Sequence, residues 1–433
     1  MEDLLSWYGA LIGLFVAIFL ILKKFNPVYS LFFGAIVGCL IGGADLSKTI
    51  SIIITGTQSV MGTVIRVLAA GVLAGVMMQS GAAGTIAQAI VRKMGEKKAI
   101  LALALATMVI TAVGVFIPVA VLIVAPIALE VGNKMGISKL ALLLALSGGG
   151  KAGNIISPNP NTIAAANGFH ISLSDVMIGG FIPALFGLAM TVIVASMIKH
   201  RGVMVTDKEA NLISSKTDGD DQTRPPLNKA IITPVIAIVL LMVNPIGSIL
   251  NIDALSHFKL DALYVLPFAG IVGMIAMGQK NKIISYTTSG VEKMTATVLI
   301  LIGAGAIAGL IGASNLSMEV VKLIDISGIS GTFLAPISGI LMAAATASTS
   351  TGVILATGTF GTAISQVGLS PLASAVMVHT GATVIDSLPQ GNYFHVTADS
   401  MHMSIRQRMA LIPYEAMVGG TMTIVATIMY GFI

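Results

Sequence analysis

The sequence predicts an all-α polytopic membrane protein of two inverted repeats, each with five transmembrane crossings and one re-entrant hairpin. Three features lead there: apolar runs of bilayer-spanning length, a match between the two halves, and a one-sided distribution of Lys and Arg. The 433 residues are 55% apolar and 10% charged, with mean hydropathy +0.95, against about 45–50% and about 25% in soluble domains. An ordinary soluble enzyme is excluded. At 5% aromatic residues a transmembrane barrel, which needs aromatic girdles and alternating strands, is disfavoured. The lone thiol, Cys39, permits neither an intramolecular disulfide nor a cysteine metal site.

The clearest runs are 4–22, 60–79, 175–198, 295–313 and 410–430, each near or above the roughly 18 residues that cross a hydrocarbon core. Shorter or Gly/Pro-interrupted runs lie at 28–43, 99–132, 139–165, 230–249, 262–278, 332–366 and 371–398. The first run begins with Glu2 and Asp3 and ends with Lys23 and Lys24, the reverse of a secretory signal, and is read as a helix. The one long polar stretch, 199–229 with Pro225 and Pro226, reads as a cytoplasmic linker.

Sliding the chain on itself by about 232 residues aligns the halves. GISKLAL at 136–142 meets GLSPLAS at 368–374, SPNPN at 157–161 meets LPQGN at 388–392, and HISL at 170 meets HMSI at 402. Such a repeat is the architectural signature of secondary transporters. The first unit is then 1–198, with a re-entrant hairpin at 99–132 and a broken helix at 139–165. The second is 230–433, with a hairpin at 332–366 and a broken helix at 371–398. An odd number of crossings inverts the second unit. With Lys23 and Lys24 inside, only Lys48, Lys259 and Lys322 fall outside, and Arg66 and Lys151 lie at membrane depth. The remaining basic residues, Lys293 and Arg408 among them, fall inside. The positive-inside rule is satisfied with both termini outside. The net charge of +5 is thus an orientation signal and not a sign of nucleic acid.

Backbone that leaves a helix inside a bilayer needs polar partners, so such breaks mark binding sites. In the first, Pro158 and Pro160 forbid continuous helix where Asn159, Asn161 and Thr162 supply donors and acceptors. Its counterpart at 379–392 carries Ser387 and Asn392, and the second hairpin tip carries Ser348, Thr349, Ser350 and Thr351. The alternative for those hydroxyls is bonding to carbonyls of their own helix. Amides, hydroxyls and helix N-termini together suit a small polar anion. Lys151 is a candidate for the substrate carboxylate and Asp386 for a coupling proton; alternatively the two neutralise each other structurally. His379 is a second proton candidate, with a structural hydrogen-bonding role as the alternative. Glu415 is expected to cap the last helix at its cytoplasmic start or to face the core. No P-loop, Gly-x-Ser-x-Gly elbow or His-Glu-x-x-His occurs, so neither an enzyme nor an ATP-driven pump is expected. No metal site and no cofactor is expected either. A proton gradient would supply the energy, with Na⁺ held by unwound carbonyls as the variant and a passive anion channel as the competing class.

SPNPNTIAAANGF at 157–169 and GATVIDSLPQGNYF at 381–394, on this repeated frame, resemble the gluconate permease (GntP) family of the ion transporter superfamily. The resemblance implies a proton-coupled symporter of small hydroxy-carboxylates in the bacterial inner membrane. It also implies a homodimer whose hairpin-bearing domains move against a scaffold. Gluconate-transporting members usually carry His-x-Asn-Asp where this chain has Ser387, Leu388, Pro389 and Gln390, and a His between prolines where it has Asn159. Asp386 to Pro389 look more like the hydroxybutyrate-permease branch, so a shorter hydroxy acid stands beside gluconate as substrate.

Overall fold

The computed structural model describes residues 4–206, 224–250, 252–256, 260–327, 330–389 and 391–432; linker positions 207–223, Lys259 and Gln390 lie outside that set. Among the described residues the chain is helical, with no β-strand. The first half runs α1 (Trp7–Leu22), α2 (Pro27–Ile41), α3 (Leu46–Ser59), α4 (Met61–Gln79), α5 (Ala82–Met94) and α6 (Ala99–Ala112). It continues with α7 (Ile117–Met135), α8 (Lys139–Ile155), α9 (Pro160–Gly168), α10 (Leu173–Gly179) and α11 (Phe181–Met197). The second half runs α12 (Leu227–Ala230), α13 (Ile232–Ile249), α14 (Asp253–Ser256), α15 (Ala262–Ala276), α16 (Ile283–Gly312) and α17 (Leu316–Ser327). It ends with α18 (Leu334–Thr346), α19 (Thr349–Gln366), α20 (Pro371–Gly381), α21 (Asn392–Ser400), α22 (Ile405–Met409) and α23 (Ile412–Gly431).

Side-chain caps start many of these helices. Asn26 accepts from the Val28 amide, Asp45 from Lys48 and Ser138 from Ala141, each satisfying a donor that a helix start otherwise leaves unpaired. Among the described residues six spans have the length and composition to cross a membrane, or seven if α10 and α11, bent by 44°, count as one. Phe15, Phe19, Phe33, Met197, Ile424 and Ile428 point outward, an apolar surface suited to lipid and too extensive for water. The chain is a multi-pass membrane protein.

The helices form two packed groups. In one, α1 packs on α2, and α16 packs on α2, α3 and α4, with α15 between α4 and α13. In the other, α8 packs on α6 and α11, α20 on α18 and α23, and α11 on α23. The groups meet where α19 packs on α16 and where α4 packs on α9. Close approach requires small residues: a β-carbon on Gly290 of α16 would strike the Gly71 carbonyl of α4, as expected of helices that associate backbone to backbone in lipid. At the rim, Arg66 of α4 donates to Asp261, the cap of α15, at 2.6 and 3.0 Å.

Two antiparallel pairs, α6 with α7 and α18 with α19, turn at 113–116 and 347–348. Both tips end against a helix interruption. Gly114, with φ +102°, faces the Pro158 carbonyl, and Ala347 abuts Gly391. The same order of helices therefore surrounds each interruption.

Candidate functional site

The first interruption is closed on itself. Every residue of α8 is buried, and the chain leaves the helix at 156–159, where Pro158 and Pro160 remove the amides that would continue it. The Asn159 side chain accepts from the amides of Asn161 (2.8 Å) and Thr162 (3.2 Å) and donates to the Asn154 carbonyl at 2.7 Å. The first-turn donors of α9 are thus used locally.

The second interruption, 382–391, is longer, and Gly391 starts α21 without a side-chain cap. Its charge is Asp386. One carboxylate oxygen accepts from Lys151 Nζ at 2.6 Å and Ser387 Oγ at 2.8 Å, and the other accepts from Thr349 Oγ1 at 2.6 Å. Lys151 also donates to the Thr383 carbonyl at 2.6 Å. Lys151 is 0% exposed and Asp386 4%, so each is the other's necessary neutraliser in a medium that penalises lone charge. The pairing that the sequence leaves as one alternative is the observed geometry.

A cavity of about 550 Å³ lies between the second interruption, the two hairpin tips and α16. Asn161, Ser348, Thr349, Ser350, Thr351, Asp386 and Asn392 all stand on its wall. Ser350 donates to the Asn161 carboxamide, tying the second hairpin to the first interruption. Other candidates lie behind that wall. Lys151, Asn159, Thr162 and Ser387 are buried in the framework of hydrogen bonds supporting it. His379 is fully buried on α20, with neither ring nitrogen partnered. A second cavity of about 530 Å³, beside Arg66 and Asp261, holds none of the candidates.

Two basic residues counted above on the inner side are buried or on the cavity wall, and Glu415 meets both of its alternatives. Arg408, assigned above to the inside surface, is wholly buried against Glu415, with contacts of 2.7 and 3.1 Å. It also donates to Thr397 at 2.9 Å and lies 5.5 and 5.1 Å from the Tyr393 and Phe394 rings. The setting is local: a Ser404–Gln407 capping box starts the short α22, on which Arg408 alone is buried. Glu415 is both in the first turn of α23 and in the core, where the Tyr393 hydroxyl also donates to it at 3.2 Å. Lys293, likewise assigned inside, is on the cavity wall. It lies eleven residues into the bundle from Lys282, the residue before α16, about 16 Å at 1.5 Å per residue. An apolar run that seemed to begin at 295 hid the nearly three turns of helix, 283–292, that precede Lys293.

A model of the GntP family permeases matches residues 5–433. An uncharacterized transporter of Haemophilus influenzae is 48% identical over 426 residues, 98% of each chain. A gluconate permease of Zymomonas mobilis is 23% identical over 421 residues, 92% of this chain and 91% of that one. The fold is shared with MtrF of Neisseria gonorrhoeae, described among a class of antimetabolite efflux pumps, at TM-score 0.67 and 15% identity over 96% of this chain and 95% of that one. A match spanning the whole helical frame and both interruptions settles the assignment: the chain belongs to the GntP permease family and is a transporter, not an enzyme.

Proposed function

We propose that this permease is a proton-coupled symporter that moves a small hydroxy-carboxylate of the gluconate, glycerate or hydroxybutyrate class across the bacterial cytoplasmic membrane by alternating access. The observation that carries the reading is the composition of one cavity wall. Ser348 to Thr351, Asn161 and Asn392 line a single space beside the α19 and α21 N-termini. Because α21 lacks a side-chain cap, its first-turn amides are left for substrate oxygens, and the positive helix end adds to the pull on an anion. The hydroxyl and carboxamide groups match a polyol chain. The gluconate permease of Zymomonas mobilis is named for a substrate of this kind.

Coupling is assigned to Asp386. A proton there cancels its charge, loosens the bond to Lys151 and frees the contact with Thr349, so proton and substrate occupancy are felt by the same hairpin tip. His379 is the second carrier to test. The recurring order of helices and the two hairpin tips that end at interruptions support inverted repeats with re-entrant hairpins. The division into two packed groups supports an elevator-type movement. The cavity reaches Ile21 and Pro27, beside Lys23 and Lys24, which supports an inward-facing arrangement.

Counterflow tests the reading. Proteoliposomes preloaded with an unlabelled hydroxy acid should transiently concentrate the labelled acid, whereas a passive anion pore only equilibrates it.

A further inference from the structure

The charge ledger around the cavity points to a residue that the functional reading leaves without a role. Lys151 is neutralised by Asp386, and Arg408 by Glu415. Lys293 is in none of the ion pairs found among the described residues, and its one polar contact is Met78 Sδ at 3.9 Å, a weak acceptor. It stands on the α16 wall with Thr297 and Ile300, facing the hydroxyl-bearing hairpin tip across the cavity. The neighbouring Glu292 is not on that wall.

We infer that Lys293 holds the substrate's single carboxylate in this conformation, and that it sets a preference for monoanionic over dianionic hydroxy acids. The inference rests on the hydroxy-carboxylate reading above. Lys293 is exposed on that wall, so its ammonium is open to a ligand, and a counter-ion or water must offset its charge. With Asp386 ionised and compensated by Lys151, Lys293 is the one cation on the cavity wall among the described residues, enough for one carboxylate. A second carboxylate would enter with no cation to meet it, and an unpaired charge is how a site rejects a competitor. Lys293 also belongs to the α16 group of helices, whereas Ser348 to Thr351 and Asn392 belong to the hairpin and interrupted helices. Its contact with substrate is therefore the one that breaks if those groups slide past each other.

Binding of gluconate, glycerate and 3-hydroxybutyrate, of the neutral gluconamide and of the dianion glucarate, is measured by calorimetry on the full chain in detergent. For the tightest monocarboxylate, Lys293→Gln should weaken binding tenfold or more, and Lys293→Arg should stay within about threefold of the parent. Gluconamide should bind parent and Lys293→Gln equally, and glucarate at least tenfold more weakly than gluconate to the parent. The unliganded melting temperature of both variants checks their folding, and if Lys293→Gln misfolds, the gluconate-to-glucarate ratio of the parent and Lys293→Arg decides. Undiminished monocarboxylate binding by a folded Lys293→Gln, or glucarate bound as tightly as gluconate, overturns the inference alone. A parent that binds none of the three monocarboxylates removes the functional reading itself.

Discussion

The two helix interruptions occupy matching places in the two halves and solve the same problem in opposite ways. At 156–159 the freed amides of Asn161 and Thr162 are taken by Asn159, four residues suffice, and no charge is present. At 382–391 the gap is longer, α21 starts on uncapped Gly391, and a carboxylate sits inside. The lysine that neutralises Asp386 comes from the other half. An interruption satisfied by its own side chains is a framework. One that borrows Lys151 and Thr349 from elsewhere, and leaves backbone donors over, is a site whose bonding a ligand or a proton can change.

The largest expected effect is at the borrowed lysine. Lys151→Met strands Asp386 as a buried unpaired charge, worth about 3–5 kcal/mol of stability, and the melting temperature should fall accordingly. The double variant Lys151→Met with Asp386→Leu should recover most of that loss and transport nothing; a double variant that melts as low as the single one would deny the pair its neutralising role. Next, Thr349→Val removes a hydrogen bond to a charged group, about 1.5–3 kcal/mol, and should weaken substrate binding more than it lowers the melting temperature. At the closed interruption the balance reverses. Asn159→Ala should cost about 1–2 kcal/mol of stability, with substrate affinity within about threefold of the parent. A large affinity loss there would erase the distinction between framework and site.

The smallest effect lies away from both. Burial works to raise the Asp261 carboxyl, but the Arg66 side chain and the Leu263 amide outweigh it and hold the group below the ordinary carboxylate range. The partly exposed pair contributes stability above the unfolded value, about pH 4, and loses it as pH falls through the lower folded value. Asp261→Asn should therefore lower the melting temperature slightly at pH 7, by no more than about 1 kcal/mol, and progressively less below pH 4.

The membrane class and the transporter assignment were legible because they rest on sums: an apolar fraction, a low charge fraction, the absence of catalytic motifs. The polar clusters were legible because proline announces a lost amide, as at Pro158 and Pro160. What a linear reading misses is where a long side chain ends up. Lys151 and Asp386 are 235 positions apart, and only the packed helices decide whether they meet each other or a ligand. Arg408 counts as a surface cation until α22 turns it onto Glu415. Lys293 stands beside moderately polar residues that hide how far α16 extends past it.

Accumulation of a labelled hydroxy-carboxylate in proteoliposomes, with parent protein and Asp386→Asn side by side under an imposed inward pH gradient, tests the central claim most directly. The asparagine keeps an acceptor for Lys151 and mimics the protonated carboxyl. The parent should concentrate the acid only while the gradient lasts, and Asp386→Asn should exchange the acid but not concentrate it. Accumulation by the parent that requires Na⁺ and ignores pH, or undiminished gradient-driven accumulation by Asp386→Asn, would contradict the account.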